Sequence, residues 1–255
     1  MSDHRLRPAR SATIRRIIAQ LKGDPRTVAL ILVVPALLIT LLYFVFVDAP
    51  VPPGRDRVFD SLGPIMLAVL PMMLLFIVTS VTMLRERTSG TLERIMTTPL
   101  SRFNLLASYA LVFGVLAIAQ SAILGSLVLG PMDVELEGPW WAFIILSFLS
   151  AVVGVCLGLL ASAFARTEFQ AVQFMPLVIG PQIFLCGLLV DKEHMPKVLE
   201  AISNWLPMTW AVDVVNDVLA HSDLSADSWW RMSGLALLIV VLLVVAAASM
   251  PRQTR

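Results

Sequence analysis

Six long stretches of this chain carry almost no charge, and they constrain its fold more than any motif does. Residues 28–47, 62–84, 104–130, 140–164, 171–190 and 229–249 are apolar blocks of 20 to 27 residues, and Arg231 is the one charged side chain within them. A bilayer core about 30 Å thick is crossed by about 20 apolar residues in a helix. In hydrocarbon each backbone N–H and C=O must be satisfied inside the segment, so uncharged runs of this length read as helices. Barrel strands would alternate polar and apolar residues over about ten positions, and these blocks do not. The fold class expected is an all-α integral membrane protein with six transmembrane helices.

Composition agrees. The chain is 58% hydrophobic and 15% charged, where soluble domains carry about a quarter charged residues. There is too little polar surface to coat a soluble globule of 255 residues. A soluble enzyme and a disordered tail are excluded, and a net charge of +1 gives no footing for nucleic acid. Cys156 and Cys186 lie in apolar runs with no CxxC spacing, and His4, His194 and His221 are scattered, so no metal site is expected. The domain plan is a tail at 1–27, a six-span domain at 28–249 and a tail at 250–255. The first apolar block is longer than a signal-peptide core of about 7–15 residues and reads as a retained span.

With the N-terminus inside, the pieces 1–27, 85–103, 165–170 and 250–255 hold 14 of the 19 Lys and Arg residues. This follows the positive-inside rule and places both termini in the cytoplasm. Trp140–Trp141 and Trp229–Trp230 then sit at outer ends, as interfacial anchors should.

The pieces between spans have their own patterns. In residues 11–22, Ile14, Ile17, Ile18 and Leu21 recur at helical spacing, with Arg15, Arg16 and Lys22 assigned to the other face. That pattern suits an amphipathic helix on the inner membrane surface, with a purely topogenic basic tail as the alternative. In the loop after span 2, Leu92, Ile95 and Met96 give a short apolar face that Pro99 should end. A helix so short needs a surface to bind, either membrane or protein. Between spans 5 and 6, Pro196 and Pro207 each precede a helical pattern, so two short outer helices are expected, either dipping into the leaflet or forming an ordinary hairpin. Ser150, Gly154, Gly158 and Ser162 form a small-residue stripe on span 4, suited to close helix packing within the protomer or between protomers. Gln120, Gln173 and Gln182 are candidates for a substrate path or for plain interhelical hydrogen bonds.

No catalytic constellation is present. None of the three lysines, Lys22, Lys192 and Lys197, follows a glycine, so there is no phosphate-binding P-loop. The chain is not expected to be an enzyme, to bind a cofactor or to hold a metal, and its energy must come from elsewhere.

The loop from Arg85 to Arg102 is more specific. Glu86-Arg87-Thr88-Ser89-Gly90-Thr91-Leu92-Glu93, followed by Thr98-Pro99-Leu100-Ser101-Arg102, resembles the signature of type-2 ABC exporter permeases. Arg166-Thr167-Glu168, Met195-Pro196 and Leu206-Pro207 extend the likeness, while Asn216-Asp217 stands where many members carry an arginine. The resemblance implies a half-transporter in a bacterial plasma membrane. It would pair with a second copy or a related permease and with two ATPase subunits that hold ATP and Mg. The helix near Leu92–Met96 would be the cytoplasmic coupling helix, with Glu86, Gly90, Thr91, Leu92, Glu93, Ile95, Met96 and Pro99 as the ATPase-coupling residues. Daunorubicin-type drug exporters are the most similar group, which implies a lipophilic, drug-like or lipid-like substrate. Polysaccharide or glycolipid exporters are the neighbouring alternative. An autonomous secondary transporter, channel or scaffold is the reading from a different class.

Overall fold

The computed structural model describes residues 6–50, 57–90, 101–190 and 192–250. Among these, every regular element is helical: α1 (Leu6–Gly23), α2 (Pro25–Phe46), α3 (Val58–Thr88), α4 (Arg102–Leu129), α5 (Trp140–Phe164), α6 (Glu168–Val178), α7 (Gly180–Leu185), a 3₁₀ turn (Lys192–His194), α8 (Lys197–Ser203), α9 (Pro207–Ala220) and α10 (Ala226–Ser249). Five of them, α2, α3, α4, α5 and α10, are long and apolar enough to cross a membrane.

Local chemistry sets the boundaries. Asp24 ends α1 and caps α2, accepting from the Thr27 amide at 3.2 Å and the Thr27 hydroxyl at 2.6 Å. Pro25 then occupies the first helical position, where its missing N–H is no loss. Ser101, Thr167 and Ser225 cap α4, α6 and α10 in the same way.

The block at 171–190 departs from expectation. It is not one uninterrupted helix but α6 and α7, separated at Ile179. Pro176 and Pro181 each remove a backbone donor and crowd the preceding turn, and Gly180 between them adds no helical preference. The break expected at Pro207 is present: α8 ends at Ser203, and Pro207 starts α9.

Burial ranks the long helices. Two-thirds of the apolar window of α5 is buried (67%), against 56% for α3, 50% for α4 and 17% for each of α2 and α10. The bundle is therefore built around α5, with α2 and α10 at its rim. The small stripe explains how α5 fits against α3. A Cβ added at Gly154 would come within 2.2 Å of the Met72 carbonyl, and one at Gly158 within 2.4 Å of the Phe76 carbonyl. Ser147 donates to the Leu67 carbonyl at 3.0 Å. Pro71 lacks the N–H that would otherwise bond that carbonyl, so a serine on one helix repairs a proline on the other. The pairings 147 with 67, 154 with 72 and 158 with 76 rise together, so α3 and α5 run parallel. Phe44 and Val33 on α2, Val115 on α4, and Leu237 on α10 stay exposed. An apolar belt of that kind belongs in lipid.

Candidate coupling site at the end of α3

Glu86 is the centre of a polar knot at the end of the bundle where α3 stops. It is 7% exposed. Arg16 on α1 donates to one carboxylate oxygen at 2.9 Å, and Gln20, one turn on, donates to the other at 2.6 Å. The second Arg16 nitrogen donates to the Tyr109 hydroxyl on α4 at 3.0 Å. A buried carboxylate is tolerable only with such partners, one of them charged. The assignment of Arg16 to the solvated face of α1 is thus corrected. Thr13, Arg16 and Gln20 lie three and four residues apart and form one row of the helix. Burial of Ile17 and partial burial of Ile14 and Leu21 against the core turn Thr13 and Arg16 inward, with Gln20 exposed at the edge, while Arg15 and Lys22 face away. α1 is therefore docked on α4 and not merely laid on a membrane.

The neighbours of Glu86 in sequence extend the knot. Arg85 makes a paired contact with Glu168, both bonds at 2.8 Å. The Thr167 cap puts Glu168 on the first turn of α6, facing this arginine. The Arg85 guanidinium holds the Glu168 carboxyl below the usual carboxylate range. Arg87 donates to the Ser162 carbonyl at the end of α5. Three consecutive residues thus tie the last turn of α3 to α1, α5 and α6, and Arg16 carries the tie on to α4. A cleft of about 240 Å³ lies beside them, lined by Gln20, Asp24, Thr27, Arg85, Glu86 and Tyr109.

Gly90 closes the helix at φ +73, a left-handed position where a side chain is strained. Ser101 starts α4, so both anchors of the 91–100 segment belong to this end of the bundle. Thr91, Leu92, Glu93, Ile95, Met96 and Pro99 themselves lie outside the described residues. The E-R pair was visible in the sequence. Its partners were not, because nothing in a helical pattern says that Arg16 meets Glu86 across 70 positions.

The other candidate positions are dispersed. Gln120 is fully buried on α4, and among the described residues neither of its amide atoms has a partner. Gln173 is exposed on α6. Gln182 donates to the Val178 carbonyl at 2.9 Å and accepts from the Met208 amide at 3.3 Å, joining α7 to the start of α9. Ser150 is buried, and among the described residues its hydroxyl has no partner.

The opposite end has a second charged cluster. Lys192 and Arg231 both pair with Asp213, and Arg231 also bonds Asp227 at 2.6 Å. Arg231 is thus neutralised by two carboxylates. Asp217 accepts from the Ser225 amide at 3.0 Å and from the Ser228 hydroxyl at 2.5 Å, which fastens the start of α10 to α9.

Residues 10–219 match the family described as ABC-2 type transporter. Among curated relatives, the chain is 28% identical over 155 residues to the Linearmycin resistance permease protein LnrN of Bacillus subtilis, covering 60% of this chain and 40% of the relative. It is 25% identical over 190 residues to the Probable multidrug ABC transporter permease YbhR of Escherichia coli, covering 74% of this chain and 51% of the relative. ABC transporter G family member 20 of Dictyostelium discoideum matches at 25% over 165 residues, 65% of this chain and 23% of the relative. The chain spans about half or less of each relative's length. With the family match running through α1, the knot at the end of α3 and α9, the chain belongs to the ABC-2 type transporter family.

Proposed function

We propose that this chain is the membrane-spanning permease subunit of an ATP-driven exporter. Two such subunits, identical or related, would work with two separate ATPase subunits that bind ATP and Mg. The cargo would be lipophilic and drug-like or lipid-like, in keeping with relatives named for linearmycin resistance and multidrug transport. The observation that carries the proposal is the knot. Glu86, Arg85 and Arg87 fasten the helix end directly before the 91–100 segment to α1, α6 and α5, and through Arg16 to α4. A partner pressing on that segment would move α1, α4, α5 and α6 together.

The same end holds most of the basic residues, which supports a cytoplasmic assignment for it and for both termini. A sixth crossing, through α6 and α7, is supported by connectivity. Glu168 is tied to Arg85 at the knot end, while Lys192 is tied to Asp213 on α9 at the other. Arg102, at the start of α4, bonds the Met250 carbonyl at 2.8 Å, so α10 returns to the knot end. Residues 168–185 of the broken helix reach about 27 Å at 1.5 Å per residue, close to the bilayer core.

The test is reconstitution with the ATPase encoded beside this chain. Export of a lipophilic drug from cells stripped of other pumps should require both subunits and an intact ATP site on the partner. Export by this chain alone, or with a partner unable to hydrolyse ATP, would refute the proposal.

A further inference from the structure

At the end of the bundle away from the knot, a groove of about 640 Å³ runs between α8–α9 and α10. Its polarity changes along its length. Asp227, Trp230 and Arg231 line one end, and Leu237 and Val241 line the other. α9 runs antiparallel to α10, with Asp217 against Ser228, Asp213 against Arg231 and Trp210 against Gly234, so Trp205 lies toward the Leu237 end. From Asp227 to Val241 the helix rises about 21 Å, enough for a headgroup and one leaflet of a core about 30 Å thick. The Trp210 ring forms the floor, lying against Gly234 so closely that an added Cβ would sit 3.0 Å from it. The Trp210 N–H is already used, donating to the Asn204 carbonyl at 2.7 Å. Trp205 and Trp230 differ. They are 80% and 77% exposed, and among the described residues their N–H groups have no partner. Arg231 commits two of its three nitrogens to Asp227 and Asp213, leaving the third with two free donors. Asp227 has a second carboxylate oxygen with no partner among the described residues.

We propose that this groove holds one glycerophospholipid of the surrounding leaflet, with an ammonium-bearing headgroup. The free Arg231 nitrogen and the Trp230 N–H meet the phosphate. The open Asp227 oxygen and the Trp230 face meet the ammonium, which they attract by charge and by cation–π contact. One acyl chain lies along Leu237 and Val241. The apolar groove between α2 and α4, lined by Val33, Leu37 and Leu41, offers no charged group and serves as the internal control.

The test uses the full chain in phosphatidylglycerol vesicles doped with phosphatidylethanolamine that carries a photoreactive group in one acyl chain. After illumination, label should favour the peptide bearing Leu237–Val241 over that bearing Val33–Leu41 by about fivefold. Unlabelled phosphatidylethanolamine should displace it, and diacylglycerol should not. Leu237→Trp adds bulk at an exposed position, leaves every ion pair intact, and should bring the label down to the control level. Equal labelling of the two faces, as lipid tails alone or a second copy seated in the groove would give, overturns the proposal. So does label that diacylglycerol displaces equally, or label that Leu237→Trp leaves unchanged.

Discussion

Glu86 and Glu168 show how one residue type is put to different uses a few ångströms from the same helix end. Glu86 is buried, so removing its charge strands Arg16 and leaves a partly buried guanidinium without its counter-ion. Because Arg16 keeps some solvent access, we expect Glu86→Gln to destabilise by about 1–2 kcal/mol, less than for a fully buried pair. Tyr109→Phe removes a single neutral partner and should destabilise by about 0.5–1.5 kcal/mol. Thermal unfolding of both variants in detergent checks the order. Glu168 is exposed, and its bond to Arg85 holds its carboxyl below the usual range. A depressed carboxylate contributes stability that is complete above its unfolded-state value and lost as pH falls through its folded-state value. The difference in unfolding temperature between the wild type and Glu168→Gln should therefore be small but present at pH 7 and vanish in acid. A difference that grows toward low pH would contradict this assignment.

Elements meet here through missing atoms. α5 can approach α3 because Gly154 and Gly158 present no side chain to the Met72 and Phe76 carbonyls. Gly158→Ala must push the helices apart or displace Thr79, and should destabilise by about 1–3 kcal/mol. Gly114→Ala on α4 meets nothing within 4 Å and should be neutral or stabilise by about 0.5–1 kcal/mol through helix propensity. Equal effects of the two substitutions would remove the packing argument. The small stripe was readable from its spacing, but that it serves α3 of the same chain was not. Spacing reveals that a close approach exists, and only the fold names the partner. The proposed coupling helix belongs to this scale too. Leu92→Asp should reduce co-purification of the ATPase by about tenfold or more, the loss of one buried leucine anchor of about 1.5–3 kcal/mol. Membrane insertion should be unchanged, because no spanning residue is touched. Wild-type co-purification and transport by this variant would end the assignment.

For the whole molecule, the ends of the bundle are chemically distinct. The knot end gathers Arg16, Arg85, Arg87 and Arg102, and the other end gathers Asp213, Asp217 and Asp227. With the knot end in the cytoplasm, a cysteine at exposed Asp223 should react with an impermeant thiol reagent in intact cells, and one at exposed Ala12 should not. The two native cysteines are buried and would be replaced by alanine. Reversed labelling would invert the topology. Ser203 would make a poor reporter: it falls in the outer helical pattern after Pro196 but is fully buried, donating to the Leu185 carbonyl at 2.7 Å.

Apolar run length, breaker residues and cap chemistry act within a few turns of chain, so the sequence alone determined the all-helical class, five of the long helices and the break at Pro207. The sequence pattern also carried the E-R-x-x-G stretch, which resembles the family signature and stands before the proposed coupling helix. The fifth apolar block is long enough to cross in one helix, yet Pro176, Gly180 and Pro181 divide it locally, and no single residue announces where. The inward turn of Arg16 needed the tertiary structure. A basic residue beside an apolar stripe is assigned to water unless a buried carboxylate awaits it, and Glu86 is brought there only when α1 docks on α4 against the end of α3. Local interactions choose helix ends, whereas a charge chooses its partner across the whole chain, through a contact that exists only once the bundle has closed.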